Sequence, residues 1–107
     1  MASDEASSYA IEDQFDNSFT IALIVSCREG QIDAVRDLID YGVPVNLQDQ
    51  AGNSPLSYAA TNGHVEIVIL LIDRGALVDL EDINAWTPLM SASGLGFEDV
   101  VVSLLRN

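Results

Sequence analysis

Apolar positions along this chain recur in a fixed register, and the register predicts its elements. Leu23, Leu56 and Leu89 stand 33 residues apart, as do Gly30, Gly63 and Gly96. Ser26, Ala59 and Ala92 stay small in step, the pairs Leu38-Ile39, Leu71-Ile72 and Leu104-Leu105 keep the same spacing, and Gly42 returns as Gly75. A period of this length marks one supersecondary unit copied along the chain, each copy hiding its apolar face against the next. Such a stack offers a surface to partners before it offers a reaction cavity.

Three copies are predicted, at about 17–48, 49–80 and 81–107, after an acidic, flexible tail at 1–16. In copy one, Thr20 to Glu29 and Ile32 to Tyr41 read as helices, with Gly30 breaking between them and Gly42 closing the second in a left-handed conformation. In copy two, Asp49 to Asn53 is a turn signal. Ser54-Pro55 then opens a helix: the hydroxyl caps free backbone N–H groups, and the proline stands where its missing N–H costs nothing. Val65 to Arg74 forms the second helix, ended by Gly75. Copy three repeats the grammar with Thr87-Pro88, Gly96 and a last helix from about Phe97 to Arg106.

Composition narrows the partners. Seventeen acidic residues face four arginines and no lysine, a net charge of -13. That excludes nucleic acid and anionic lipid, which need Lys and Arg to neutralise phosphates, and favours a partner with a basic surface. The tail carries Asp4, Glu5, Glu12, Asp13 and Asp16 with no basic residue, and an acidic arm is one reading of it. Cys27 is the only cysteine, so no internal disulfide forms and a reducing, intracellular compartment (cytoplasm or nucleus) is expected. It falls where Ala60 and Ser93 sit in the other copies, a small-residue packing position. The longest apolar runs, Ile21 to Val25 and Ile67 to Ile72, are far too short to span a bilayer, so no membrane is expected.

Ser54-Pro55-Leu56, Ala59-Ala60, Gly63-His64, Ile67-Val68, Leu71 and Gly75-Ala76 in copy two resemble the ankyrin repeat. Thr87-Pro88-Leu89, Ala92, Gly96, Val100-Val101 and Leu104-Leu105 continue the resemblance in copy three. Copy one diverges, with Phe19 at the turn glycine and Ala22 at the proline. The resemblance covers residues 17 to 107. It implies an all-α solenoid of stacked helix-turn-helix units with β-hairpin or loop connections. Ile24, Ser57 and Met90 stand where the family carries the histidine that ties the cap to the next turn, so weaker anchoring of the hairpins is expected.

Convergent chemistry is scarce. His64 is the only histidine, which excludes metal sites built on several imidazoles, and the resemblance gives it a packing role at the inter-helix turn. No phosphate loop, dinucleotide fingerprint or EF-hand spacing occurs. The expectation is therefore a non-enzyme with neither metal nor cofactor: a protein-interaction module, adaptor or scaffold, or alternatively an acidic subunit that masks a basic surface of an enzyme or transcription factor.

The resemblance implies that partners lie along the concave face, on hairpin tips and first helices. The register maps this face to Gln50, Ala51, Asn53, Thr61 and Asn62 in copy two and to Ile83, Asn84, Trp86, Gly94 and Leu95 in copy three, and Met90 with Ile83 would extend an apolar patch around Trp86. Copy one would add Asn17, Ser18, Thr20, Arg28 and Glu29. Trp86 replaces a polar residue at a tip, either as an interface anchor or as a cover for its own hairpin. The last helix is apolar nearly all round (Val100, Val101, Val102, Leu104 and Leu105), where capping repeats are polar. Further stacked repeats, or self-association through this edge, would account for it.

Overall fold

The computed structural model describes residues 17–106, so the acidic tail at 1–16 lies outside the described residues. Within them the chain forms six helices and no strand: α1 Asn17–Glu29, α2 Ile32–Tyr41, α3 Pro55–Thr61, α4 Val65–Asp73, α5 Pro88–Leu95 and α6 Glu98–Leu105. The first helices of the three copies (α1, α3, α5) stack in one layer and the second helices (α2, α4, α6) in another. Contact is closer in the first layer, where Ala59, Ala60 and Ala92 are fully buried and let backbones approach.

The turn between paired helices is the same in each copy. The N–H of Gln31, His64 and Phe97 donates to the carbonyl of Ser26, Ala59 and Ala92, at 2.9, 2.9 and 3.0 Å. Ser54 Oγ accepts from Ser57 N–H at 3.1 Å and Thr87 Oγ1 from Met90 N–H at 3.3 Å, with a proline at each helix start. Gly42, at φ 113°, closes α2 through bonds from its own N–H to Ile39 and from Val43 N–H to Leu38. Leu23, Val35, Leu56, Ile67, Val68, Leu71 and Val100 form the core that runs through the stack.

Copy one departs from the expected grammar. Its first helix begins at Asn17, three residues ahead of Thr20, so Asn17, Ser18 and Thr20 belong to a helix and not to a hairpin tip. Phe19 stands where copy two has a left-handed glycine, a conformation a bulky side chain resists, and no proline marks a helix start. The turn is thus replaced by an extra helical segment, and Phe19 stacks on Tyr41 with ring centroids 5.3 Å apart. The other boundaries move by no more than one residue.

Neighbouring copies are also tied by side chains. Asn46 donates from its amide to Gly75 O at 3.1 Å and accepts from Leu77 N–H at 2.8 Å. Arg74 in copy two pairs with Asp40 in copy one.

Candidate functional site: the finger tips and the concave face

The connections between copies end in two tight loops, 49–53 and 82–86, here called fingers. Each is organised by one aspartate. Asp49 Oδ1 accepts from the N–H of Ala51 and Asn53 at 3.0 and 2.9 Å, and Asp82 Oδ1 accepts from Asn84 and Trp86 at 2.8 and 3.0 Å. The same aspartates close the loops through their backbones, Asp49 N–H to Asn53 O and Asp82 N–H to Trp86 O. A carboxylate that satisfies its own turn is a strong local lock.

The fingers then seat on each other. Ile83 N–H donates to Ala51 O at 3.0 Å, and Gln48 Nε2 bridges Gly52 O and Glu81 O at 2.8 and 3.0 Å. Gly52, at φ 82°, lies so close that a Cβ there would meet Asp82 Cα at 2.8 Å. Ala85 takes the same left-handed turn position in the second finger at φ 65°, a conformation that costs an alanine about 1 kcal/mol. The first finger has a further tether, since Tyr58 on α3 donates its hydroxyl to Asp49 Oδ2. That bond, more than partial burial, raises the Tyr58 hydroxyl pKa. Ser91 occupies the equivalent place in copy three, so the second finger lacks this tether.

On this frame Ile83 is 73% exposed, Trp86 50% and Met90 49%. Gln50 and Asn84 are also exposed, and these five occupy the finger tips and the adjoining start of α5. Trp86 lies between the two readings: half of its surface faces water and half rests on protein. Asn53 is different. It is partly buried, and its side-chain carbonyl accepts from Ser57 Oγ at 3.3 Å. Asn62 and Leu95 are exposed but stand at the far ends of α3 and α5, roughly 10 Å along helices of this length. The structure therefore gathers Gln50, Ile83, Asn84, Trp86 and Met90 at one rim and leaves Asn62 and Leu95 at the other.

A groove beside the first finger was not foreseen. Thr20, Ile21 and Ile24 of α1 line it with Gln48, Asp49, Gln50 and Ala51. Ile21, 57% exposed, stands in register with the helix caps Ser54 and Thr87. Its apolar character at a cap position was the signal that the helix starts earlier.

Chemistry is sparse on these surfaces. Among the described residues no group of three His, Cys, Asp or Glu is close enough to hold a metal ion. His64 Nε2 lies 2.8 Å from Arg28 O, and its ring covers Gly30, which places it in the packing role the resemblance implied. Cys27 is fully buried, and burial pushes its thiol up to about 12, so the reactive thiolate is suppressed. Three arginines already face carboxylates: Arg28 with Glu29 at 3.1 Å, Arg36 with Asp33 at 3.3 Å, and Arg74 with Asp40. No helix among the described residues is long and apolar enough to cross a membrane.

Comparison with curated proteins gives no match. The family model for ankyrin repeats (3 copies) matches residues 8–107. Repeats of this kind are generally protein–protein interaction modules and are typically non-catalytic. With three copies in one register, paired helices in two layers and fingers between them, the chain belongs to the ankyrin-repeat family.

Proposed function

We propose that this protein is a non-catalytic interaction module, an adaptor or scaffold of the cytoplasm or nucleus, that holds another protein on its finger tips and concave face. Trp86 is the anchor. The observation that supports this is an aromatic ring half exposed on a loop whose backbone is locked by Asp82 and seated on a second locked loop. A rigid aromatic gives much contact area while losing little conformational freedom on binding. Ile83 and Met90 extend the apolar contact, and Gln50 and Asn84 supply polar edges.

The test is a pull-down with the wild type beside Trp86→Ala, followed by titration of the captured protein. The substitution should weaken binding by about 2 kcal/mol, the hot-spot scale, with helical circular dichroism unchanged. Unchanged affinity would remove Trp86 from the interface.

A second reading is an acidic regulatory subunit that masks a basic surface. Its support is charge: most arginines are engaged with neighbouring carboxylates, while Asp79 and Glu81 remain exposed around the rim. Affinity under that reading falls steeply as salt rises towards physiological strength. A flat salt response would leave the apolar contacts as the driver.

A further inference from the structure

The turn between the paired helices of copy two pivots on Gly63, and the residue before this glycine differs from copy to copy: Glu29, Asn62 and Leu95. Asn62 is the only asparagine in the chain that a glycine follows. That pairing carries a chemistry of its own. A glycine amide nitrogen has no side chain beside it to block its approach to the carbonyl carbon of the preceding asparagine side chain. Gly63 N bonds to Asn62 Cγ, its proton passes to water or hydroxide, and the side-chain nitrogen leaves as ammonia. Water then opens the succinimide ring at either carbonyl, leaving aspartate or isoaspartate at position 62.

The fold controls whether these atoms meet. Asn62 is exposed at the end of α3, so water reaches its amide. The ring closes only when Gly63 N lies beside the Asn62 Cβ. At ψ 6° that nitrogen is turned towards the Asn62 backbone nitrogen and away from Cβ. Both reacting groups are also tied: Gly63 N–H donates to Ala60 O at 3.2 Å, and Asn62 Nδ2 donates to Tyr58 O at 2.8 Å. Attack therefore requires the last turn of α3 to open. Helix ends open more readily than the core, and α3 has only seven residues.

The products do not fit the closed turn. Gly63 lies so near copy three that a Cβ on it would meet the Phe97 ring at 2.9 Å. The next amide, His64 N–H, donates to Ala59 O at 2.9 Å. Isoaspartate routes the main chain through its side chain and lengthens it by one methylene, roughly 1.5 Å. A glycine held by a ring on one side and a hydrogen-bonded neighbour on the other has no slack for that insertion. Aspartate keeps the length, but its carboxylate cannot donate to Tyr58 O. It also adds negative charge at the helix end whose carbonyls are already negative.

We infer that Asn62–Gly63 is a spontaneous deamidation site gated by the end of α3: the closed turn resists the reaction, opening permits it, and the product cannot re-form the turn. A transient opening is thereby converted into a lasting loosening between copies two and three. Neither Trp86 nor any partner takes part.

The test ages the full chain in mildly alkaline buffer at body temperature, with and without enough urea to unfold it. Peptide mass spectrometry follows each asparagine, and enzymatic methylation counts isoaspartate. In urea Asn62 should react before every other asparagine, and in native buffer it should react at least tenfold more slowly. Asn62→Gln should remove the reaction from this position, since its longer side chain does not close the same ring. The modified chain, separated from the unmodified one by its extra charge, should melt at a lower temperature. Equal rates in native buffer and urea would overturn the inference, as would reaction in urea centred on Asn46, Asn53 or Asn84. So would a modified chain whose melting temperature is unchanged, since the turn would then have closed again.

Discussion

Copies two and three use almost the same residues for helix starts, turns and cores, yet they sit in different surroundings. Leu56 is buried to 1% between its neighbours, while Leu89 in the same register is only partly covered. Gly63 lies under the ring of Phe97, whereas Gly96 faces open space. The first finger is held by Tyr58 and turns at Gly52; the second lacks that tether and turns at a strained Ala85. Copy three, the less supported of the two, also carries Ile83, Trp86, Met90 and Leu95 at the surface. Sequence that looks equivalent in a repeat is therefore not energetically equivalent, because each copy draws much of its stability from the copy beside it.

The largest test of this contrast is truncation of the core leucines. Leu56→Ala should cost about 3 kcal/mol and Leu89→Ala about half as much, measured by urea denaturation. Equal losses would mean that position in the stack does not matter. The glycines come next. Alanine at Gly63 and at Gly96 meets the same left-handed backbone penalty of about 1 kcal/mol, but only at Gly63 must a ring also shift. Gly63→Ala should therefore lose about 1 kcal/mol more, read from thermal melting.

Tyr58 tests the finger tether. Its hydroxyl pKa is raised in the folded state by the bond to Asp49. The folded chain thus holds this proton more tightly than the unfolded one, and the contribution is full below the ordinary tyrosine range. It is lost as pH rises through the raised value. Stability should fall above about pH 10, and Tyr58→Phe should lower neutral-pH stability by about 1 kcal/mol while flattening that alkaline fall. An unchanged pH profile in the variant would show that the bond does not stabilise the finger. The smallest effect should come from Ala85→Gly. It relieves left-handed strain of about 1 kcal/mol but adds unfolded-state entropy, for a net gain of about 0.5 kcal/mol; a lower melting temperature would contradict the strain.

Much of this molecule was legible in its sequence. Ser54-Pro55 and Thr87-Pro88 cap the helices as read, α2 has the predicted ends, and Gly42 takes the left-handed conformation expected of it. These are local choices, dictated by residues within one turn of each other. The start of α1 was misplaced because the periodic register was carried into a copy that lacks its glycine and proline. Weaker anchoring was expected from the missing family histidines, yet copy two regains an anchor in Tyr58, nine residues from Asp49. Gln48 and Asn46 tie copies together through side-chain bonds to backbone that no pattern of apolar positions reveals. At the candidate site the exposure of Gln50, Ile83 and Asn84 followed from register, while the half-exposure of Trp86 was open between two readings and the groove at Ile21 required the displaced helix.

The side-chain ties between copies have one more consequence. The side-chain bonds of Asn46, Gln48, Arg74 and His64 link residues 29 to 36 positions apart and reach no farther. Short sequence separation keeps loop closure cheap and folding fast. As the polypeptide leaves the ribosome, each unit can settle against its predecessor as soon as one further period has emerged, and none has to wait for a distant strand. Native-state hydrogen exchange should record the reverse order, with amides of the outer units opening before those of α3 and α4.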